Sequence, residues 1–229
     1  MRLAKPHIDI GLFTTDIDAH TRFWGETAGL RLDHRLELGI EGIVQHRYDA
    51  HDSVIKVNHH PGPLAALPPT GYVGLTIARD GAPAWNGQHP GGDSVRLVPP
   101  GTDGVVGIGV TVATPDPDRM MAFYAEAMEF ERVGARSVRC GDSVLFVVEG
   151  AGGSPAETFI GPGFRYLTVQ IFDADAACTQ IADRGGAVVQ EPITLGDVAR
   201  YAFVSDPDGN WIEISARFSL PGVQRPTTG

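Results

Sequence analysis

Trp211 and Glu213 stand two residues apart in the run Asp206-Pro207-Asp208-Gly209-Asn210-Trp211-Ile212-Glu213-Ile214. In a strand that spacing puts the ring and the carboxylate on one face and Ile212 and Ile214 on the other. A carboxylate beside an aromatic ring on the open face of a sheet suits the wall of a pocket. A solvent-facing glutamate is the plainer alternative. Near the other end of the chain, alternation places His7, Asp9 and Phe13 opposite Ile8, Ile10 and Leu12. It likewise places Lys56, Asn58 and His60 opposite Ile55 and Val57. Asp9 with His7 and either His46 or His60 would make a divalent-metal set, although histidines near strand ends also serve as plain surface residues. All eight histidines lie in the N-terminal half.

The rest of the composition narrows the chemistry. A net charge of −10 and a pI near 5.1 argue against nucleic-acid or anionic-membrane partners and leave room for a cationic small ligand. Cys140 and Cys178 are too few for a disulfide framework and lack metal-ligand spacing, so both read as reduced packing residues. No signal-peptide succession opens the chain, and no apolar run would cross a bilayer, so a cytoplasmic protein is expected. There is no P-loop, nucleophile elbow or CxxC. Gly107-Ile108-Gly109 precedes a strand and lacks a third glycine, so no nucleotide cofactor is implied.

The elements that would position these residues are repeated. Asp52 to Val57, Asp93 to Val98 and Asp142 to Val147 each match the turn and strand of Asp208 to Ile214. Ile8 to Asp16 finds its partner one hundred residues on in Ile108 to Asp116, and Phe23, Trp24 and Glu26 find theirs in Phe123, Tyr124 and Glu126. Asp16 and Asp116 read as helix N-caps, with Pro117 at the first helical position, and the aromatics as core. Tyr166 to Asp173 opens a further unit, whose helix ends at Gly185-Gly186. The first and last units read β-α-β-β-β. The second, from Tyr72 to Val98, has room for neither a helix nor two of its strands. Asp208-Gly209 is expected to form a two-residue hairpin turn.

With "SDPDGNWIEI" and the pairing of "TTDIDAHTRFWGETAGL" with "TPDPDRMMAFYAEAMEF", the chain resembles the vicinal oxygen chelate superfamily over residues ~7 to 216. That superfamily includes glyoxalase I, extradiol dioxygenases, methylmalonyl-CoA epimerase, and fosfomycin- and bleomycin-resistance proteins. The resemblance implies an α+β fold of βαβββ modules paired into curled, cup-shaped mixed sheets. The expected halves are residues 1–100, with module 2 degenerate, and residues 101–220, followed by a loose tail at 221–229. In that family first and last strands supply metal ligands, and those positions fall here on Asp9, Gly109 and Tyr166, and on Lys56, Leu97, Phe146 and Glu213. Only Glu213 is an ordinary ligand, so no metal is required. If one is held, the candidates are His7, Asp9, His46 and His60. An ion pair of Asp9 with Lys56 would replace its charge.

The implied ligand site is a C-terminal cup lined by Thr111, Val144, Phe146, Tyr166, Thr168, Gln170, Trp211 and Glu213. A mostly apolar pocket there would hold a small oxygenated or aromatic molecule, with Glu213 as general acid or base and Tyr166 as hydrogen-bond donor. Isomerase or lyase proton transfer is one implied function. A metal-free binding or drug-sequestration protein is another, and a divalent-metal glyoxalase- or dioxygenase-like enzyme a third. A homodimer is compatible with each.

Overall fold

A computed structural model of the chain describes residues 1–225, so residues 226–229 of the expected tail lie outside it. Module 1 comprises β1 (Leu3–Thr14), helix α1 (Ile17–Arg22, continued by a π turn over Phe23–Thr27), β2 (Arg31–Glu37), β3 (Val44–Ala50) and β4 (Ser53–His59). Module 2 is reduced to β5 (Tyr72–Ala78), β6 (Trp85–Gln88) and β7 (Ser94–Val98). Module 3 has β8 (Ile108–Thr114), α2 (Pro117–Ala122, continued by a π turn over Phe123–Ala127), β9 (Glu131–Gly134), β10 (Ser137–Cys140) and β11 (Ser143–Glu149). Module 4 has β12 (Gly163–Ile171), α3 (Ala174–Asp183), β13 (Ala187–Leu195), β14 (Ala199–Ser205) and β15 (Trp211–Arg217). The expected helix starts are present. Asp16 accepts from the amide of Ala19 at 2.9 Å and Asp116 from that of Arg119 at 3.0 Å, each satisfying a donor that the first helical turn leaves open.

The modules pair out of chain order. One sheet runs β13-β14-β15-β12-β1-β4-β3-β2, joining module 4 to module 1, and the other runs β6-β7-β5-β8-β11-β10-β9, joining modules 2 and 3. Residues 1–100 and 101–220 therefore do not each form a sheet, and each contributes one module to both. The sheets share one core, built from Ile8, Ile10 and Leu12 of β1, Leu75 and Ile77 of β5, Val110 and Val112 of β8, and Leu167 and Val169 of β12. Trp24, Met120, Tyr124 and Ile181 of the helical segments join it. Each such buried aliphatic side chain contributes about 1.5–3 kcal/mol, which fixes which face of each strand is left for the site.

Two local expectations are corrected. Ser205 pairs with Trp211, so the loop between β14 and β15 holds five residues and is not a two-residue Asp-Gly turn. The Asp206 carboxylate takes over its polar groups, accepting from the amides of Asp208 at 3.0 Å and Asn210 at 2.9 Å, while Gly209 supplies the one positive φ, 82°. Leu97 points into the core, and Arg96 takes the outer face. His51-Asp52 and Gly141-Asp142 are two-residue turns, with Ala50 paired to Ser53 and Cys140 to Ser143. Between paired Gln88 and Ser94 lie five residues, and an odd shift in a strand reverses its faces.

Candidate functional site

The site grows from the antiparallel pairing of β1 and β12. Asp9 lies opposite Thr168, Ile10 opposite Leu167 and Gly11 opposite Tyr166. β4 joins one side in parallel with Lys56 beside Gly11, and β15 the other with Glu213 beside Thr168. This register has a local twofold through Ile10 and Leu167 that relates Asp9 to Tyr166, Gly11 to Thr168, and Lys56 to Glu213. The four positions of the resemblance thus meet across one sheet, from modules at opposite ends of the chain.

Lys56 is 4% exposed. Its ammonium donates to Thr168 Oγ1 at 2.6 Å and to Glu213 Oε2 at 2.8 Å, and Thr168 in turn donates to the same Oε2 at 2.6 Å. Asp9 is a more distant partner at 4.0 Å, because its carboxylate is held by Lys5 at 3.0 Å and by the amide of Val54 at 2.9 Å. The expected Asp9–Lys56 pair is therefore secondary to Lys56–Glu213. Burial pulls the Lys56 pKa below its ordinary value against the opposing charges of Glu213 and Asp9. Burial would raise that of Asp9, but Lys5, Lys56 and Arg47 together hold it low.

Tyr166 lies across Gly11, where a Cβ would come within 2.1 Å of the ring, so only glycine fits there. Its hydroxyl accepts from Asn58 Nδ2 at 3.3 Å and Gln45 Nε2 at 3.4 Å. Burial, and then the charge of Glu213, push its pKa well above the usual phenol range. Tyr166 is therefore a neutral hydroxyl whose own proton remains available for donation. No direct hydrogen bond joins it to Glu213 among the described residues.

A cavity of about 90 Å³ opens over this floor. Lys56, Tyr166, Gln170 and Glu213 line it with Gln45, Arg47 and Arg217, and Leu36, Leu38, Leu195 and Tyr201 form the apolar surround. Phe159, from the glycine-rich loop after β11, closes one side, its ring centroid 5.3 Å from that of Tyr166, 4.7 Å from Phe203 and 5.1 Å from Trp211. Trp211 consequently faces an outer groove beside Arg119 and Phe123 and not the cavity. Thr168 is buried beneath the Lys56–Glu213 pair.

Thr111 and Phe146 pair with each other, but on the second sheet. There Phe146 packs with Ala78, Val105 and Val144, and covers Gly109 at 2.8 Å from where a Cβ would stand. Thr111, Val144 and Phe146 therefore do not line the cavity over Tyr166 and Glu213. Gln45, Arg47, Phe159 and Arg217 were missed. Alternation from Glu213 through Ser215 to Arg217 could have found the last, and pairing of Arg47 with Lys56 the second.

The proposed metal ligands are not brought together. His7 lies 3.3 Å from Asp142, His60 bonds the carbonyl of Gly62 at 2.7 Å and Glu41 at 3.1 Å, and His46 takes a 3.4 Å contact from Arg35. Among the described residues no three His, Cys, Asp or Glu side chains converge to hold a metal ion. The donor chemistry at the four sheet positions also does not fit a divalent cation, because the ammonium of Lys56 would stand against it. Among those residues no helix is long and apolar enough to cross a membrane.

Paired βαβββ modules with a cavity over one sheet make up a vicinal-oxygen-chelate fold, and residues 108–214 match the family described as Glyoxalase/Bleomycin resistance protein/Dioxygenase superfamily. The chain is similar to "Probable lactoylglutathione lyase" of Synechocystis, 39% identical over 56 residues, which is 24% of this chain and 43% of that protein. CFP32 of Mycobacterium bovis, named as a glyoxylase, is 31% identical over 100 residues, 42% of this chain and 38% of its own. The matches thus span less than half the length of these relatives. Glyoxalase I from Zea mays shares the fold with a TM-score of 0.70 to 0.71, covering 93% of this chain and 92% of that one at 15% identity.

Proposed function

We propose that this chain is a small-molecule enzyme of the superfamily in which the Lys56 ammonium occupies the place of the divalent metal, catalysing proton transfer next to a carbonyl. One observation carries this reading. An ammonium has three donors, two are used on Thr168 and Glu213, and among the described residues the third has no acceptor at hydrogen-bond distance, Asp9 lying at 4.0 Å. A carbonyl oxygen entering the cavity would take that third hydrogen, with the Tyr166 hydroxyl as a further donor. Glu213 then accepts the proton as the C–H bond breaks, and the bonding pair moves onto the carbonyl oxygen to give an enolate facing Lys56. Return of the proton to the opposite face of the same carbon completes an epimerisation, and expulsion of a leaving group from the next carbon, with the electron pair returning from the enolate oxygen, completes a lyase reaction. We place the protein in the cytoplasm, a reading supported by two unpaired, buried cysteines.

The test is deuterium wash-in at the carbon next to the carbonyl of 4-methylpentan-2-one and 4-methyl-2-oxopentanoate, followed by proton NMR in D2O. Exchange with the wild type, unchanged by EDTA and lowered at least 100-fold in Glu213→Gln, is the expected result. Calorimetric binding of a probe with no exchange would refute proton transfer and leave a binding and sequestration protein.

A further inference from the structure

We infer that the cavity recognises an organic carboxylate with an apolar body, through Arg47 and Arg217. The inference rests on the cavity being the ligand site and deepens that reading. Arg47 is 6% exposed and lies beside Lys56 across the β3–β4 ladder. One guanidinium nitrogen donates to Gln45 Oε1 at 2.5 Å, while its buried Nε has no partner among the described residues. Among the described residues no carboxylate lies within ion-pair distance of either Arg47 or Arg217, and the Arg217 Nε spends its hydrogen on Ser219 Oγ at 3.2 Å. Burial first, and then the like charge of Arg47, depress the Arg217 pKa against the opposing charges of Asp9, Glu213 and Asp33.

Two guanidinium groups repelling each other at a half-closed cavity are costly unless something anionic joins them. The charged residues lining the cavity make the same point. Within the cavity lining Arg47, Lys56 and Arg217 stand against Glu213, an excess of two positive charges in a protein of net charge −10, with Asp9 and Asp33 on the far side of the two arginines. Such a focus of opposite sign draws anions from solution. It also reverses the expectation, from overall composition, of a cationic ligand. A carboxylate fits the planar, forked donors of arginine in two parallel hydrogen bonds. The buried Gln170 Oε1, which has no partner, can accept from a hydroxyl or from the second arginine. Leu36, Leu38, Leu195 and Tyr201 then offer the apolar body its surface.

Titration calorimetry on the intact protein compares 4-methyl-2-oxopentanoate, its uncharged relative 4-methylpentan-2-one, and butyl phosphate. The oxo acid should bind at least tenfold more tightly than the ketone, with affinity falling as salt rises. Arg47→Gln and Arg217→Gln should each weaken the acid at least tenfold and leave the ketone unchanged. Because Arg217 is at the surface end of the strand, its variant remains informative if Arg47→Gln fails to fold. Glu213→Gln should bind the acid at least as well as wild type, since it removes a like charge. Equal binding of acid and ketone, or wild-type affinity in Arg217→Gln, overturns the inference, and tighter binding of butyl phosphate overturns the carboxylate assignment. Exchange of the ketone without preference for the acid would refute this inference alone. Binding of the acid without exchange would refute the proton-transfer reading alone.

Discussion

Removing Lys56 tests how the centre of the sheet is held together. At 2.8 Å and an effective dielectric near 20, its attraction to Glu213 is about 6 kcal/mol, and burying two ions costs several kcal/mol each. Burial opposes that attraction and lowers the Lys56 pKa, and a buried pair of this kind is expected to add little net stability. Its loss on one side is another matter. Lys56→Met leaves the Glu213 carboxylate with Thr168 as its main donor. Deleting one member of a buried pair costs about 3–5 kcal/mol, and the Glu213 side chain is 17% exposed, so about 3 kcal/mol is expected. Lys56→Met combined with Glu213→Leu should recover most of it, giving a coupling of about 2 kcal/mol. The cycle with Asp9→Asn should couple by about 1 kcal/mol or less, because Asp9 keeps Lys5 and the Val54 amide. Urea unfolding at constant m gives all of these values. Between its lowered native pKa and 10.5, native Lys56 binds fewer protons than unfolded, so wild-type stability should rise with pH there and that rise should be absent in Lys56→Met. Additivity of Lys56→Met and Glu213→Leu within about 0.5 kcal/mol would refute the reasoning.

Two buried groups should oppose each other in acid. Burial raises Asp206 from 3.8 to about 6, so the native state binds the extra proton and stability falls as pH climbs from about 4 to 6. Burial lowers His20 from 6.5 to about 4, so the unfolded state binds the extra proton and stability rises from about 4 to 6.5. Each shift of about two units is worth about 3 kcal/mol. Denaturation series should therefore show a small net slope from this pair in the wild type, an added upward slope in Asp206→Asn, and an added downward slope in His20→Asn. Matching slopes in all three proteins would contradict the assignment. Gly11→Ala must displace the Tyr166 ring and should cost about 1–3 kcal/mol. Tyr166→Leu should relieve most of that strain in the double variant, and a Gly11→Ala protein of unchanged stability would show that the ring does not lie over Gly11.

The repeat was legible because each module must alternate large apolar residues toward a core and end each strand in a turn, and Ile8 to Leu12 and Ile212 to Ile214 do so plainly. What could not be read was which modules pair. Module 3 to module 4 pairing satisfies the same patterns as module 1 to module 4, and hydrogen bonding between strands leaves no mark in either sequence. That choice decides the site, for it exchanges Thr111 and Phe146 for Arg47 and Lys56 beside Glu213. The misplacement of Leu97 has a smaller cause, the odd length of one loop. Arg217 was overlooked because an arginine near the end of a strand reads as solvent-facing until the floor beside it is known.

The pairing of the first module with the last has a consequence for how the protein comes to exist. Modules 2 and 3 are consecutive and can join as soon as residue 149 is available, whereas β1 must wait for β12, about 150 residues later in synthesis. Until then β1, with Lys5 and Asp9, is an open strand edge, a surface prone to pairing with other chains. Charge along that edge discourages such pairing. The charges that flank the finished site thus guard the nascent chain, and a ribosome-stalled product ending before residue 163 would carry Lys56 without Glu213.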